Sequence, residues 1–155
     1  MKHDAARGEW RDGEARYLVI RNDSLMGMFR RLEEPARSEA LRAFAESLAE
    51  HGGRSAAGYH AEDPEAFLSR VTAMAAQLGW GRWVFSREED ALRLVVENSP
   101  FAAGYGSAAS PVCAPISGML QAVASLALGA PAVVEETRCA AAGGAECAFR
   151  ASLRA

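Results

Sequence analysis

The stretch ETRCAAAGGAEC, residues 136–147, sets two thiols at equal distances on either side of Gly143, and its reading decides how the chain closes. AVVEETRCA before it and AECAFRASL after it are strand-like runs, and Gly143-Gly144 between them is a turn signal, so the segment predicts a terminal antiparallel hairpin. With residues 142–144 as a three-residue loop, Cys139 and Cys147 stand directly opposite each other, their Cβ atoms ~5 Å apart and their side chains on one face. Two thiolates on one tetrahedral Zn²⁺ need sulfurs roughly 3.8 Å apart, which this placement can supply. Cys113 stands just before a predicted helix, whose positive end favours a thiolate. Glu136 is a candidate fourth ligand, but three residues from Cys139 it falls on the opposite face of a regular strand, so a bulge or the strand's end is required. The alternative for all three cysteines is plain burial, because free cysteine is among the most buried residue types.

Upstream of this hairpin, Pro115 to Leu128 reads as a helix of small residues, with Gly118, Ala122 and Ser125 at close-packing spacing and Gly129 and Pro131 ending it. Before it, SPFAAGYGSAASP at 99–111 predicts a loop, in which Phe101 and Tyr105 are expected to cover something apolar. WGRWVFS at 80–86 and ALRLVVEN at 91–98, joined by the charged residues 87–90, predict a first antiparallel pair. In the first half, Trp10 to Ile20 reads as a ribbon turning at Asp12-Gly13. Leu25, Met28, Phe29 and Leu32 then mark one helix up to Pro35. Leu41, Phe44 and Leu48 mark a second helix ending at Gly52-Gly53. A third is capped by Asp63-Pro64, lined by Phe67, Val71, Met74, Ala75 and Leu78, and ended by Gly79. Helices and antiparallel pairs come in blocks without strict alternation, which predicts an α+β fold: a largely antiparallel sheet with helices packed on one face.

At 155 residues the chain is about one domain long, so residues 1–155 are expected to form one unit with its own core. Half the residues are apolar and 24% charged, which excludes the composition of a disordered chain. A net charge of -3 with no basic stripe argues against nucleic acid as a partner. The opening MKHDAARGEW has no apolar run of signal-peptide length, and no stretch nears the ~20 apolar residues of a membrane span; a cytoplasmic protein is expected, without membrane association. Three cysteines, an odd number in a reducing compartment, leave buried thiols or a metal site in place of a disulfide framework.

The segments ENSPFA, SPVC and SGMLQAVASLALGAPAVVEETRCAAAGGAECAFRA together resemble the 4-vinyl-reductase domain family, a small-molecule-binding module found alone and as the sensor of phenol-responsive transcription activators. The resemblance covers about residues 80–152 well and the first half loosely. The shared pattern is Pro-Val-Cys before a small-residue helix, then Glu-x-x-Cys, a glycine-containing turn, and a Cys followed by Phe. Here it falls on Cys113, Glu136, Cys139 and Cys147, with Phe149 following. It implies that these four residues hold a structural zinc, and a fold like that of the phenol sensors and of vesicle-tethering subunits. Four protein ligands leave no open position for a zinc-activated water. Such a zinc would tie the helix start to the terminal hairpin and hold the wall of a pocket between helix and sheet. Pocket candidates are Trp80, Trp83, Phe85, Phe101, Tyr105 and Met119, with Tyr59 or His60 as a polar contact; each competes with ordinary core packing. The sensors carry a tryptophan where this sequence has Glu97 or Asn98, so the resemblance implies a hydrophobic or aromatic ligand without implying phenol itself.

Three functions follow as expectations. The first is a zinc-containing binding or sensor module for a small hydrophobic or aromatic molecule, which signals or carries through a partner chain, since no phosphate-cradling loop or helix-turn-helix is present. The second is an accessory factor or enzyme in vinyl-group reduction of bacteriochlorophyll synthesis. Hydride chemistry needs a nicotinamide or flavin, and GYGSAASP is not a dinucleotide loop, so turnover by the chain alone is the weaker form. The third is a structural interaction domain, dimeric through apolar helical faces of the first half; a homodimer is expected under the first reading as well.

Overall fold

The computed structural model describes residues 1–58 and 63–154, so Tyr59 and His60 lie outside the described residues. The chain opens with a small antiparallel sheet of β1 (Lys2–Asp4), β2 (Glu9–Asp12) and β3 (Ala15–Tyr17), in that order. The turn at Asp12-Gly13 is where the sequence puts it: Asp12 pairs with Ala15, and Gly13 has φ +57°. The second strand of the ribbon stops at Tyr17, short of Ile20. Leu18, Val19 and Ile20 are 83%, 68% and 51% exposed, and no residue before Met26 is buried.

Three helices follow: α1 (Asn22–Arg30), α2 (Ala36–Ala57) and α3 (Pro64–Gln77). In α1 the buried residues are Met26, Gly27 and Phe29, while Met28, placed on the apolar stripe by sequence, is 51% exposed. The third helix starts as its signals dictate, Asp63 accepting the backbone N–H groups of Glu65 and Ala66 ahead of Pro64.

The glycine pair 52–53 does not end α2, which runs on to Ala57. The reason is packing. A Cβ on Gly52 would lie 2.6 Å from the Met119 sulfur, and one on Gly53 3.1 Å from Ala122 Cβ, so the two glycines let the helix over residues 114–128 lie against α2. That contact outweighs their helix cost of ~1 kcal/mol each.

The main sheet consists of β4 (Arg82–Arg87), β5 (Ala91–Glu97), β6 (Ala132–Arg138) and β7 (Cys147–Leu153). Its order is β4-β5-β7-β6, all antiparallel, so the last strand is inserted between β5 and β6. The inward positions alternate along the central strands, Leu92, Leu94 and Val96 on β5 and Cys147, Phe149 and Ala151 on β7. Helix α5 (Ala114–Leu128) covers them with Ile116, Leu120 and Val123, all fully buried. The opposite face carries Arg93 and Arg150, both paired with Glu88. This is the expected α+β arrangement, with helices on one face of the sheet.

Residues 99–111 are not all loop. Ser99 accepts the Ala102 N–H and starts a short helix, α4 (Pro100–Tyr105), whose Phe101 and Tyr105 are buried, as their aromatic character suggested. Ser99-Pro100 is a cap-and-proline start signal that the surrounding glycines and serines obscure.

Candidate metal centre and cavity

Cys113 is placed by the start of α5. Its carbonyl accepts the N–H groups of Ile116 and Ser117, opening the helix, and its side chain stands at the helix's positive end. Cys147 begins β7 and pairs with Val96, pointing into the core. Cys139 follows β6 immediately and opens a 3₁₀ turn, Ala140–Ala142, in which its carbonyl accepts from Ala142 and Gly144. The connection therefore differs from the expected three-residue loop over 142–144. It spans the residues between β6 and β7, with Gly143 at φ +94°, and Cys139 lies beyond the last ladder pair, Arg138 with Ala148.

The face problem at Glu136 is solved by a bulge. The register shifts between Glu136, opposite Phe149, and Arg138, opposite Ala148, leaving Thr137 as the extra residue. The added residue resets the side-chain alternation. Glu136 and Cys139 are thereby brought to the same cluster, and Thr137 donates its hydroxyl to the Ala148 carbonyl.

One ligand atom from each of Cys113, Glu136, Cys139 and Cys147 lies within 4.8 Å of all the others. The Cys113 sulfur is 3.9 Å from that of Cys139 and 3.5 Å from that of Cys147. All three thiols are free and buried. One Glu136 oxygen accepts the Cys113 backbone N–H at 2.9 Å, while Oε1 is buried with no hydrogen-bond partner. Burying a carboxyl oxygen unpaired costs kilocalories, and a cation beside the three sulfurs removes that cost. The three sulfurs and one oxygen are therefore a donor set that could hold a metal.

Two neighbouring polar groups reach the sulfurs. The Ala140 N–H donates to the Cys147 sulfur at 3.4 Å, and the Ser99 hydroxyl, already accepting from Ala102, lies 3.4 Å from the Cys113 sulfur. Among the protein groups alone, hydrogen bonds from Cys113, then Cys139, hold the Cys147 thiol well below its usual range. Hydrogen bonds with Cys139 and Cys147, followed by burial, push Cys113 up. Burial, followed by the neighbouring Cys139, raises the Glu136 carboxyl to about 8. Ser99 went unnoticed because residues 99–111 read as a loop and its contact with the Cys113 sulfur is made only by the fold.

A second feature lies farther along α5. A cavity of about 260 Å³ is bounded by Met119 of α5, by Trp80 and Trp83, and by two helix faces. Leu48, His51, Gly52, Ser55 and Ala56 of α2 form one face; Val71, Met74, Ala75 and Leu78 of α3 form the other. Both sets follow the 3-, 4-, 7-residue spacing of a single helix side. Ala15, Arg16 and Tyr17 of β3 close the cavity from above.

Three of the sequence-predicted pocket residues, Trp80, Trp83 and Met119, thus line this cavity. Phe101 packs edge-on against Trp80 with ring centroids 5.0 Å apart, and Phe85 packs edge-on against Trp83 at 5.9 Å, so both support the lining tryptophans from behind. The Trp83 indole N–H donates to the Trp80 carbonyl, fixing the pair. Tyr105 is buried under α1, its carbonyl accepting from Arg30, and is not among the lining residues. Tyr17, His51 and Ser55 were missed: the α2 face was readable from its spacing, but the ribbon's position over it was not.

Residues 92–153 match the family model of the 4-vinyl-reductase domain. The fold is similar to that of the phenol-responsive sensory domain of the transcription activator PoxR, solved with phenol. The TM-score is 0.84 at 17% identity, over 98% of this chain and 84% of that one. It is also similar to a vinyl-4-reductase family protein from Methanocaldococcus jannaschii, with a TM-score of 0.60 at 14% identity over 86% and 91% of the two chains. No curated protein sequence matches the chain.

Proposed function

We propose that this chain, whose second half matches the 4-vinyl-reductase domain, is a zinc-containing binding module for a small hydrophobic or aromatic molecule, working in the cytoplasm as a homodimer and acting through a partner chain. The observation that carries the reading is the cavity walled by Trp80, Trp83 and Met119 on the same helix whose first turn enters the Cys113, Glu136, Cys139 and Cys147 cluster. An apolar cavity of ~150 Å³ already suffices for benzene, so one of about 260 Å³ suits a compound of one or two rings. The volume is small for a tetrapyrrole macrocycle, which weighs against the vinyl-reduction role. The similarity to a phenol-binding sensory domain supports the same ligand class.

A zinc held by Cys113, Glu136, Cys139 and Cys147 would tie the start of α5, the end of β6 and the start of β7 together. The chain's own groups prepare for it: the bulge turns Glu136 inward, and the Ala140 N–H and Ser99 hydroxyl support two of the sulfurs. With three thiolates and a carboxylate filling every position, such a metal would be structural. Among the described residues, no helix is long and apolar enough to cross a membrane. For the homodimer, the apolar helical faces of the first half are largely spent on the core, and among the described residues its exposed large apolar side chains are Leu18, Val19, Ile20 and Met28.

Elemental analysis of the purified protein should give about one zinc per chain, and naphthalene should raise its melting temperature by mass action. Metal-free protein with an unchanged melting temperature would sink the reading.

A further inference from the structure

Nothing in the α2 and α3 walls requires a lid, yet β3 lies across the cavity and brings Tyr17 to its lining. The ribbon that carries Tyr17 is attached with little apolar anchorage, since residues 1–25 include no buried side chain and the link to α1 is the exposed run Leu18, Val19, Ile20. What meets at its seam with α2 is polar. The half-buried Tyr17 phenol and the Ser55 hydroxyl both line the cavity there, and His51, one helical turn before Ser55, lines the same wall. The rest of the lining is overwhelmingly apolar, so the cavity has one oily body and one polar corner. Among the described lining residues, the guanidinium of Arg16 carries a formal charge, and it is already shared with Glu9.

Resting on the binding-module reading above, we infer that Tyr17 and Ser55 form the specificity corner of the cavity, receiving an uncharged oxygen-bearing head group of an aromatic ligand whose ring lies against Trp80 and Trp83. Each hydroxyl can donate and accept, so the two can receive a ligand hydroxyl or carbonyl in either hydrogen-bonding sense. A headless hydrocarbon fills the apolar body and leaves the corner unchanged. Because Tyr17 belongs to the ribbon, a ligand held there also holds the ribbon to α2. The N-terminal sheet becomes part of the binding site.

Two probes of similar ring size test this: naphthalene and 2-naphthalenemethanol, titrated against the full chain by quenching of tryptophan fluorescence. The alcohol should bind about five- to tenfold more tightly than naphthalene, the gain of one hydrogen bond. Tyr17→Phe and Ser55→Ala should each bring the ratio of alcohol to naphthalene affinity within about twofold. Hydrogen exchange in residues 9–17 should slow on binding the alcohol in the parent protein and not in Tyr17→Phe. A preference for the alcohol that survives in both variants overturns the assignment of the corner while sparing the binding module. Failure of the parent protein to bind naphthalene overturns the module, and the inference with it.

Discussion

The two ends of this molecule are built on opposite principles, and α5 joins them. At its first turn, Cys113, Glu136, Cys139 and Cys147 are gathered from a helix start, a strand end and a strand start, and the sulfurs are almost inaccessible. About a turn and a half later, Met119 faces a cavity walled largely by half-buried side chains and roofed by a ribbon without a single buried residue. The cluster is over-determined: each thiol is set by a strand start, a helix start or a tight turn as well as by its neighbours. The cavity is under-determined, and so can adapt to what enters. Local stability is uneven in this way wherever a fold must hold one region still to let another respond.

The largest effect should come from breaking the rigid end. Cys139→Ala should abolish zinc retention and lower unfolding free energy by more than about 4 kcal/mol, read by elemental analysis and denaturant titration. Unchanged stability after loss of zinc would show that the cluster does not anchor the fold.

Next comes the seam between the two ends. A Cβ on Gly118 would lie 2.0 Å from the Ala45 carbonyl oxygen, so Gly118→Ala must push α5 and α2 apart and should cost about 1–3 kcal/mol, with weakened naphthalene binding. Retention of both properties would mean that the helix contact is not what shapes the cavity.

Glu136→Gln should have opposite effects with and without metal. In metal-stripped protein, Glu136 titrates near 8 when folded against an ordinary value of 4.5, so its contribution is intact below 4.5 and lost as pH rises through about 8. The stability difference should therefore shift in the variant's favour across that window, by at most about 1.4 kcal/mol per pH unit. With zinc present, the variant should be the less stable protein and release metal more readily, because a neutral amide replaces an anionic donor. A variant less stable in both forms would remove the carboxylate from the metal centre.

The smallest change in stability is expected at the adaptable end. Gly52→Ala meets only the flexible end of Met119, so stability should stay within about 1 kcal/mol while the displaced sulfur enters the cavity and weakens naphthalene binding severalfold. Equal affinity would show that Met119 swings elsewhere.

Much of this division was legible in the sequence. Asp63-Pro64 set the start of α3, Asp12-Gly13 the ribbon turn, and Gly129 the end of α5, because caps and turns depend on a few adjacent residues. The four cluster residues were also readable, partly from spacing and partly through the family pattern. Gly52-Gly53 misled for a physical reason: glycine ends helices when its backbone freedom is used, but here its missing side chain is used.

By itself, then, the sequence determined the local elements, the α+β class and the identity of the clustered donors, all consequences of neighbours along the chain. Tertiary structure alone decided the insertion of β7 between β5 and β6, the bulge that brings Glu136 to the thiols, and the laying of Tyr17 over α2. Each of these depends on contacts between segments far apart in the chain, whose energies no local pattern records.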